Sequence, residues 1–158
     1  MKNPKIVWKK VLVLTLVGGL AFWLSNFAIS RTPIAAEYRA AMSISYYPML
    51  VESLVGGLII GLGVGYFLLR FYDRLPSRSP IVKSVILSAI ALVLVTLLLG
   101  GPSSFLATGN VLRYFLMGTS FNVIRILALG LGIGWFYNKV NPVSAQTSSP
   151  VQAAPADR

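Results

Sequence analysis

Two charged side chains lie inside runs that are otherwise apolar enough to cross a membrane. Arg125 lies in FNVIRILALGLGIGWF, and Glu52 lies near the start of MLVESLVGGLIIGLGVGYFLL. An arginine at the middle of a bilayer costs about 2.5–3.5 kcal/mol on insertion scales, so it should face protein or trapped water. Asn122 precedes Arg125 by three residues and shares its helical face. These three residues are the candidates for chemistry in this chain.

The spacing predicts an ion pair between Glu52 and Arg125, with Asn122 as a hydrogen-bonding neighbour. Aligned through the glycine repeat described below, Arg125 lies one helical turn deeper than Glu52, a gap of about 6 Å. Such a pair would fix the register of two helices. The functional alternative is that Arg125 binds an anion or a lipid phosphate, with Glu52 as its counter-ion or a proton carrier. A third alternative is that Arg125 pairs with another protein.

Other chemistry is largely excluded by composition. The chain has no Cys and no His, and it has only four acidic residues. Thiolate nucleophiles, ordinary zinc ligands and Ser–His–Asp sets are therefore missing from the sequence. The sequence predicts no metal site, no cofactor and no enzymatic activity.

The elements that must position these residues are membrane helices. Of the 158 residues, 56% are hydrophobic and 11% are charged, whereas soluble domains carry about 25% charged residues. Four apolar spans occur at 11–29, 49–71, 82–100 and 114–137, each close to the roughly 20 residues of a transmembrane helix. The expected fold is an all-α four-helix transmembrane bundle over residues 1–142. The small, polar residues 143–158 predict a disordered cytoplasmic tail.

The positions of Lys and Arg predict the orientation. The N-terminal segment, the link between spans two and three, and the segment after span four are basic. The positive-inside rule then places both termini in the cytoplasm of a multi-pass cell-membrane protein. The net charge of +10 is explained by lipid headgroups, and no nucleic-acid partner is expected. The first span also has the basic start of a signal peptide, and its cleavage would leave three spans.

An internal repeat joins the second and fourth spans. GLGVGYF at 61–67 matches GLGIGWF at 130–136 with five identities, and FYDRL at 71–75 matches FYNKV at 136–140. Spans one and three match weakly, through Lys10 with Thr15 and Lys83 with Ser88. The repeat predicts two helical hairpins related by a pseudo-two-fold axis along the membrane normal.

Small residues on the repeated spans predict close helix packing. Glycines spaced by four share one face of each helix: Gly57, Gly61 and Gly65 on span two, and Gly130 and Gly134 on span four. This spacing lets helix backbones approach each other. Three uses stay open, namely packing within one chain, a homodimer seam and a pore lining. The outer stretch AAEYRAAMSISYY, at 35–47, predicts a short helix on the membrane surface.

Two functions follow from these patterns. The first is a non-enzymatic subunit or scaffold of a membrane assembly, bound to lipid and to itself or to another membrane protein. The second is a small channel or carrier for an anion or polar solute that uses Arg125 and Glu52. A wet cleft open to the outside would favour transport, and a dry ion pair with exposed glycine faces would favour assembly.

Overall fold

The computed structural model describes residues 4–75, 77, 79–99 and 110–140. Within these ranges the regular secondary structure is helical and contains no strand. The helices are α1 (Pro4–Ser30), α2 (Pro33–Ala41), α3 (Tyr46–Phe71), α4 (Pro80–Leu99) and α5 (Val111–Val140), with a 3-10 turn at Tyr72–Arg74 directly after α3. The predicted tail, 143–158, lies outside the described residues.

Three helices are long and apolar enough to cross a membrane: Val7–Ser30, Tyr46–Phe71 and Val111–Val140. In the third predicted span, 82–100, the apolar helical stretch Pro80–Val95 of α4 is shorter. The outward surfaces of the long helices are apolar, with Leu12 55% and Leu112 70% exposed. Such a surface requires lipid rather than water around it. The described part of the chain therefore has the structure of a helical membrane protein.

α1 is the central helix of the bundle. It packs along α3 on one side and along α5 on the other, while α4 packs along α5 and more loosely against α3. α3 and α5 have little direct contact. The core between the helices is closed by fully buried aliphatic side chains: Leu14, Leu68, Leu129 and Ile133.

The glycines that predicted close packing lie at helix contacts inside the chain. Gly57, Gly61 and Gly65 lie against α1, and Gly130 and Gly134 lie against α4. A Cβ added to Gly61 would lie 3.1 Å from the carbonyl oxygen of Thr15. A Cβ added to Gly134 would lie 2.5 Å from the Cα of Ile81. Both glycine faces are therefore occupied by helices of the same chain.

The contact between α3 and α4 is more open than the α1–α3, α1–α5 and α4–α5 contacts. Between α3 and α4 lies an apolar groove of about 350 Å³, with Gly63 among its lining residues. A Cβ added to Gly63 would meet no atom within 4 Å. Its counterpart in the repeat, Gly132, lies against α1, where a Cβ would lie 3.1 Å from the Cβ of Ala21.

The short helix α2 lies at the end of the bundle where α1 ends and where α3 and α5 begin, which is called here the α2 end. It contacts α1 and α5. It starts at Pro33 and ends at Ala41, earlier at both ends than the predicted 35–47. The Thr32 hydroxyl oxygen accepts a hydrogen bond from the Ala35 N–H, and a proline at the first helical position is favourable there. Ser43 stops the helix with a left-handed φ of 54°.

Candidate functional site

Arg125 lines a cavity of about 250 Å³ at the α2 end of the bundle. The polar lining comes from α1, α2 and α5: Asn26, Ser30, Tyr38, Arg39, Asn122 and Arg125. Apolar side chains, including Met49 and Phe121, complete the wall. One water needs only about 10–15 Å³ of such space. The cavity is therefore large enough for a small organic ion or for several waters.

The guanidinium of Arg125 is only partly satisfied by protein. Its Nη1 donates a hydrogen bond to Asn122 Oδ1 at 3.2 Å. Its Nε is buried and finds no acceptor among the described residues. A buried donor without a partner costs about 1–3 kcal/mol, and more when the group is charged. Arg125 as a whole is partly exposed, and its guanidinium thus keeps donor capacity that the described protein does not use.

The predicted partner of Arg125 lies elsewhere. Glu52 is exposed on α3, and it is absent from the cavity lining. Glu37 pairs with Arg113 within 4.0 Å, whereas the expected Glu52–Arg125 pair is not formed between these two described residues. The physical reason is helix order: α1 packs between α3 and α5, which keeps the Glu52 face of α3 away from Arg125. Neighbouring Asn122 does contact Arg125, as the shared helical face predicts.

Asn26, near the α2 end of the α1–α3 contact, is the second unusual polar group. Its side chain is fully buried, at 0% exposure. Its Nδ2 donates to Ser53 Oγ at 2.9 Å, and Ser53 Oγ donates to the Leu50 carbonyl oxygen at 2.9 Å. Asn26 Oδ1 is buried and has no donor within the described part of the chain.

α2 covers the cavity and contributes two of the polar residues that line it, Tyr38 and Arg39. The Tyr38 ring packs edge-on against Phe121, with centroids 5.7 Å apart. Burial raises the pKa of Tyr38, and the charge of Arg125 opposes that rise, so Tyr38 is a neutral phenol at neutral pH. Arg39 Nη1 donates to the Ser30 carbonyl oxygen at 2.9 Å. Gly118 makes room for this lid, since a Cβ there would lie 2.8 Å from the Tyr38 hydroxyl oxygen.

A solvent-exposed ion pair also links α2 to α5. Arg113 Nη2 lies 2.8 Å from Glu37 Oε1, and the two side chains are 56% and 41% exposed. Exposed pairs of this kind contribute about 0–1 kcal/mol. The aromatic contacts of Tyr38 therefore hold α2 in place more than the ion pair does.

The electrostatic balance of the cavity is positive. Arg39 and Arg125 line it, and no carboxylate is among the described lining residues. Sequence reasoning identified Arg125 and Asn122 but missed Asn26, Tyr38 and Arg39. The sequence does mark Asn26 as unusual, because it is an amide inside an otherwise apolar span. Tyr38 and Arg39 have no such mark in the sequence, because only the tertiary packing of α2 brings them to Arg125.

Comparison with known proteins yields no matching family model, no matching curated protein and no matching solved structure.

Proposed function

We propose that this chain is a non-enzymatic, multi-pass cell-membrane protein that binds an anionic group from the non-cytoplasmic side, in the cavity lined by Arg125. The observation that carries the proposal is the buried, unpartnered Nε of Arg125 in a cavity without a lining carboxylate. A cation kept at that depth is costly. An anion would offset that cost by supplying the missing acceptor.

The proposed topology has four spans with both termini in the cytoplasm. α4 contains 20 residues, which at about 1.5 Å each is close to the 30 Å hydrocarbon thickness. Lys9, Lys10, Arg70 and Lys139 belong to the end opposite α2. The positive-inside rule would make that end cytoplasmic and the α2 end external.

Packing supports the proposed repeat of two helical hairpins. Gly61 lies against Thr15, and a Cβ at its counterpart Gly130 would lie 3.0 Å from Ser88 Oγ. Thr15 and Ser88 are themselves counterparts in the weaker match between spans one and three. Both hydroxyls donate to the carbonyl four residues earlier, at 2.9 Å in Thr15 and 2.8 Å in Ser88. Gly61 and Gly130, which are equivalent in the repeat, thus contact helical turns that carry equivalent hydroxyl groups.

Binding is favoured over conduction by the tightly packed core. Leu14, Leu129 and Ile133 are at most 1% exposed, and they lie between the cavity and the opposite end of the bundle. A solute entering from the α2 end would meet this aliphatic layer. The scaffold interpretation loses its main support, because the glycine faces on which it depended are used inside the chain.

The test is anion binding by the full chain in nanodiscs of zwitterionic lipid. Thermal unfolding would be followed with inorganic phosphate, lactate and glycerol 3-phosphate as probes. We expect saturable stabilisation by at least one probe, and Arg125→Gln should weaken binding about tenfold or more, since a hydrogen bond to a charged group contributes about 1.5–3 kcal/mol.

Arg113→Gln is the matched control, because Arg113 is an exposed arginine on the same helix, near the start of α5. It should leave the affinity nearly unchanged. Absence of stabilisation by every probe, or an equal loss in both variants, would contradict the proposal.

A further inference from the structure

The unusual feature beside Arg125 is a buried acceptor on Asn26, a residue that lines the same cavity. Asn26 lines the cavity, is 0% exposed, and its Oδ1 has no donor among the described residues. A cavity that binds only an anion needs hydrogen-bond donors alone, because the anion supplies the hydrogen-bond acceptors. A ligand that carries a hydrogen-bond donor would therefore satisfy the amide oxygen.

The orientation of this amide is set by its neighbours. Ser53 uses its single hydroxyl hydrogen on the Leu50 carbonyl oxygen at 2.9 Å. With the hydrogen placed there, the Ser53 oxygen accepts from the NH₂ group of Asn26 at 2.9 Å. Ser53 thus acts as a positioning residue that turns Asn26 Oδ1 away from itself.

We infer that the cavity selects anions that carry a hydroxyl or amine donor, with Arg125 holding the anionic group and Asn26 Oδ1 accepting from the donor. This inference rests on the proposed function. The ligand class includes hydroxy acids and phosphate esters with a neighbouring hydroxyl. The same chemistry occurs in a free solute and in a glycerol-bearing phospholipid headgroup. The apolar wall of Met49 and Phe121 is compatible with either source.

The experiment compares matched probes that differ in the donor alone. Lactate is compared with propionate, glycerol 3-phosphate with propyl phosphate, and phosphatidylglycerol with phosphatidylethanol in the nanodisc. In the wild-type chain we expect the donor-bearing member of at least one pair to bind about tenfold tighter, since an unpaired buried acceptor costs about 1–3 kcal/mol. A response of a soluble pair identifies a free solute, and a response of the lipid pair identifies a headgroup.

Variants then assign the selectivity to the amide. Asn26→Leu removes the acceptor at similar size, and it should abolish the preference within each responding pair while the dependence on Arg125 stays. Ser53→Ala frees the amide to turn, and it should reduce the preference even if Asn26→Leu fails to fold. Ser25→Ala is the control, because Ser25 Oγ bonds only within its own helix, to the Ala21 carbonyl oxygen at 2.8 Å, and Ser25 is not a lining residue.

The outcomes separate the two proposals. If anions bind through Arg125 but both members of every pair bind equally in the wild-type chain, the inference about Asn26 is overturned and anion binding stands. If a preference exists but persists unchanged in both Asn26→Leu and Ser53→Ala, Asn26 is not its source and the inference is again overturned. If no probe binds in an Arg125-dependent way, the proposed function itself has failed.

Discussion

Tyr72 and Tyr137 stack face to face, with ring centroids 4.8 Å apart and ring planes 14° apart. They hold the same place in the blocks FYDRL and FYNKV. Lys83, 5% exposed, lies with its Nζ 3.7 Å from the centroid of the Tyr72 ring and donates to the Tyr72 carbonyl oxygen. α3 and α5, which otherwise hardly touch, are thus joined at the end opposite α2.

The tyrosine stack should be energetically coupled. In a double-mutant cycle with Tyr72→Leu and Tyr137→Leu, we expect a coupling free energy of about 0.5–1.5 kcal/mol in unfolding, the range for aromatic pairs. Reversible unfolding in mixed micelles would measure it. The pair Trp8–Tyr66, with centroids 6.1 Å apart and both rings exposed, is the control and should couple less. Strict additivity for Tyr72 and Tyr137 would contradict a contribution from the stack.

Two glycine substitutions should differ sharply. Gly134→Ala places a Cβ 2.5 Å from the Cα of Ile81, where backbone must move, and it should lower the free energy of unfolding by about 1–3 kcal/mol. Gly63→Ala meets no atom within 4 Å, and it should be neutral or stabilising by up to about 1 kcal/mol through helix propensity. Thermal unfolding of both variants in the same detergent is the measurement. Similar losses in both would mean that the α3–α4 groove is closed under these conditions.

The Glu37/Arg113 pair should be energetically coupled in unfolding, whereas the Glu52/Arg125 combination should not. Since Glu52 is exposed on α3 and outside the Arg125 cavity, Glu52→Gln and Arg125→Gln should change unfolding free energy additively, within about 0.3–0.5 kcal/mol. Glu37→Gln and Arg113→Gln should couple by about 0.2–1 kcal/mol, as expected for an exposed pair at 2.8 Å. Recovery of stability in the Glu52/Arg125 double variant would restore the ion-pair hypothesis.

Replacing Arg125 by an apolar side chain should stabilise the unliganded protein or leave its stability unchanged. Arg125→Met keeps much of the side-chain length and eliminates a buried Nε that lacks an acceptor in the described structure. Replacing a poorly compensated buried charge by an apolar side chain is often neutral or stabilising. The measurement is the unfolding temperature without added anions. A loss of several degrees would instead make Arg125 a structural residue.

Alkaline pH should loosen the α2 lid through Tyr38. Because burial raises the pKa of Tyr38 above its ordinary value of 10.0, the unfolded chain loses this proton at lower pH than the folded chain. The contribution of Tyr38 to stability is therefore complete below about pH 10, and it is lost as pH rises through the folded pKa. The unfolding temperature of the wild-type chain should fall more steeply above pH 10 than that of Tyr38→Phe. Parallel profiles would contradict this assignment.

Local patterns were sufficient to predict the class of the protein and the positions of its helices. Apolar runs and their lengths are properties of consecutive residues. The three long apolar helices could therefore be predicted from the sequence without the tertiary structure. α5 extends three residues beyond the predicted 114–137 at each end, because helical backbone continues past the apolar stretch. The glycines of spans two and four were read as packing residues for the same local reason.

The order of the helices around the bundle was decided only by tertiary packing. Hydrophobic periodicity identifies the face that each helix buries, but it does not identify the helix that meets this face. α1 lies between α3 and α5, so Glu52 and Arg125 remain apart. The same packing folds α2 over the bundle and brings Tyr38, Arg39 and Asn26 to one cavity with Arg125. Sequence alone thus determined that a costly charge lies within a span, and the three-dimensional arrangement decided which groups surround it.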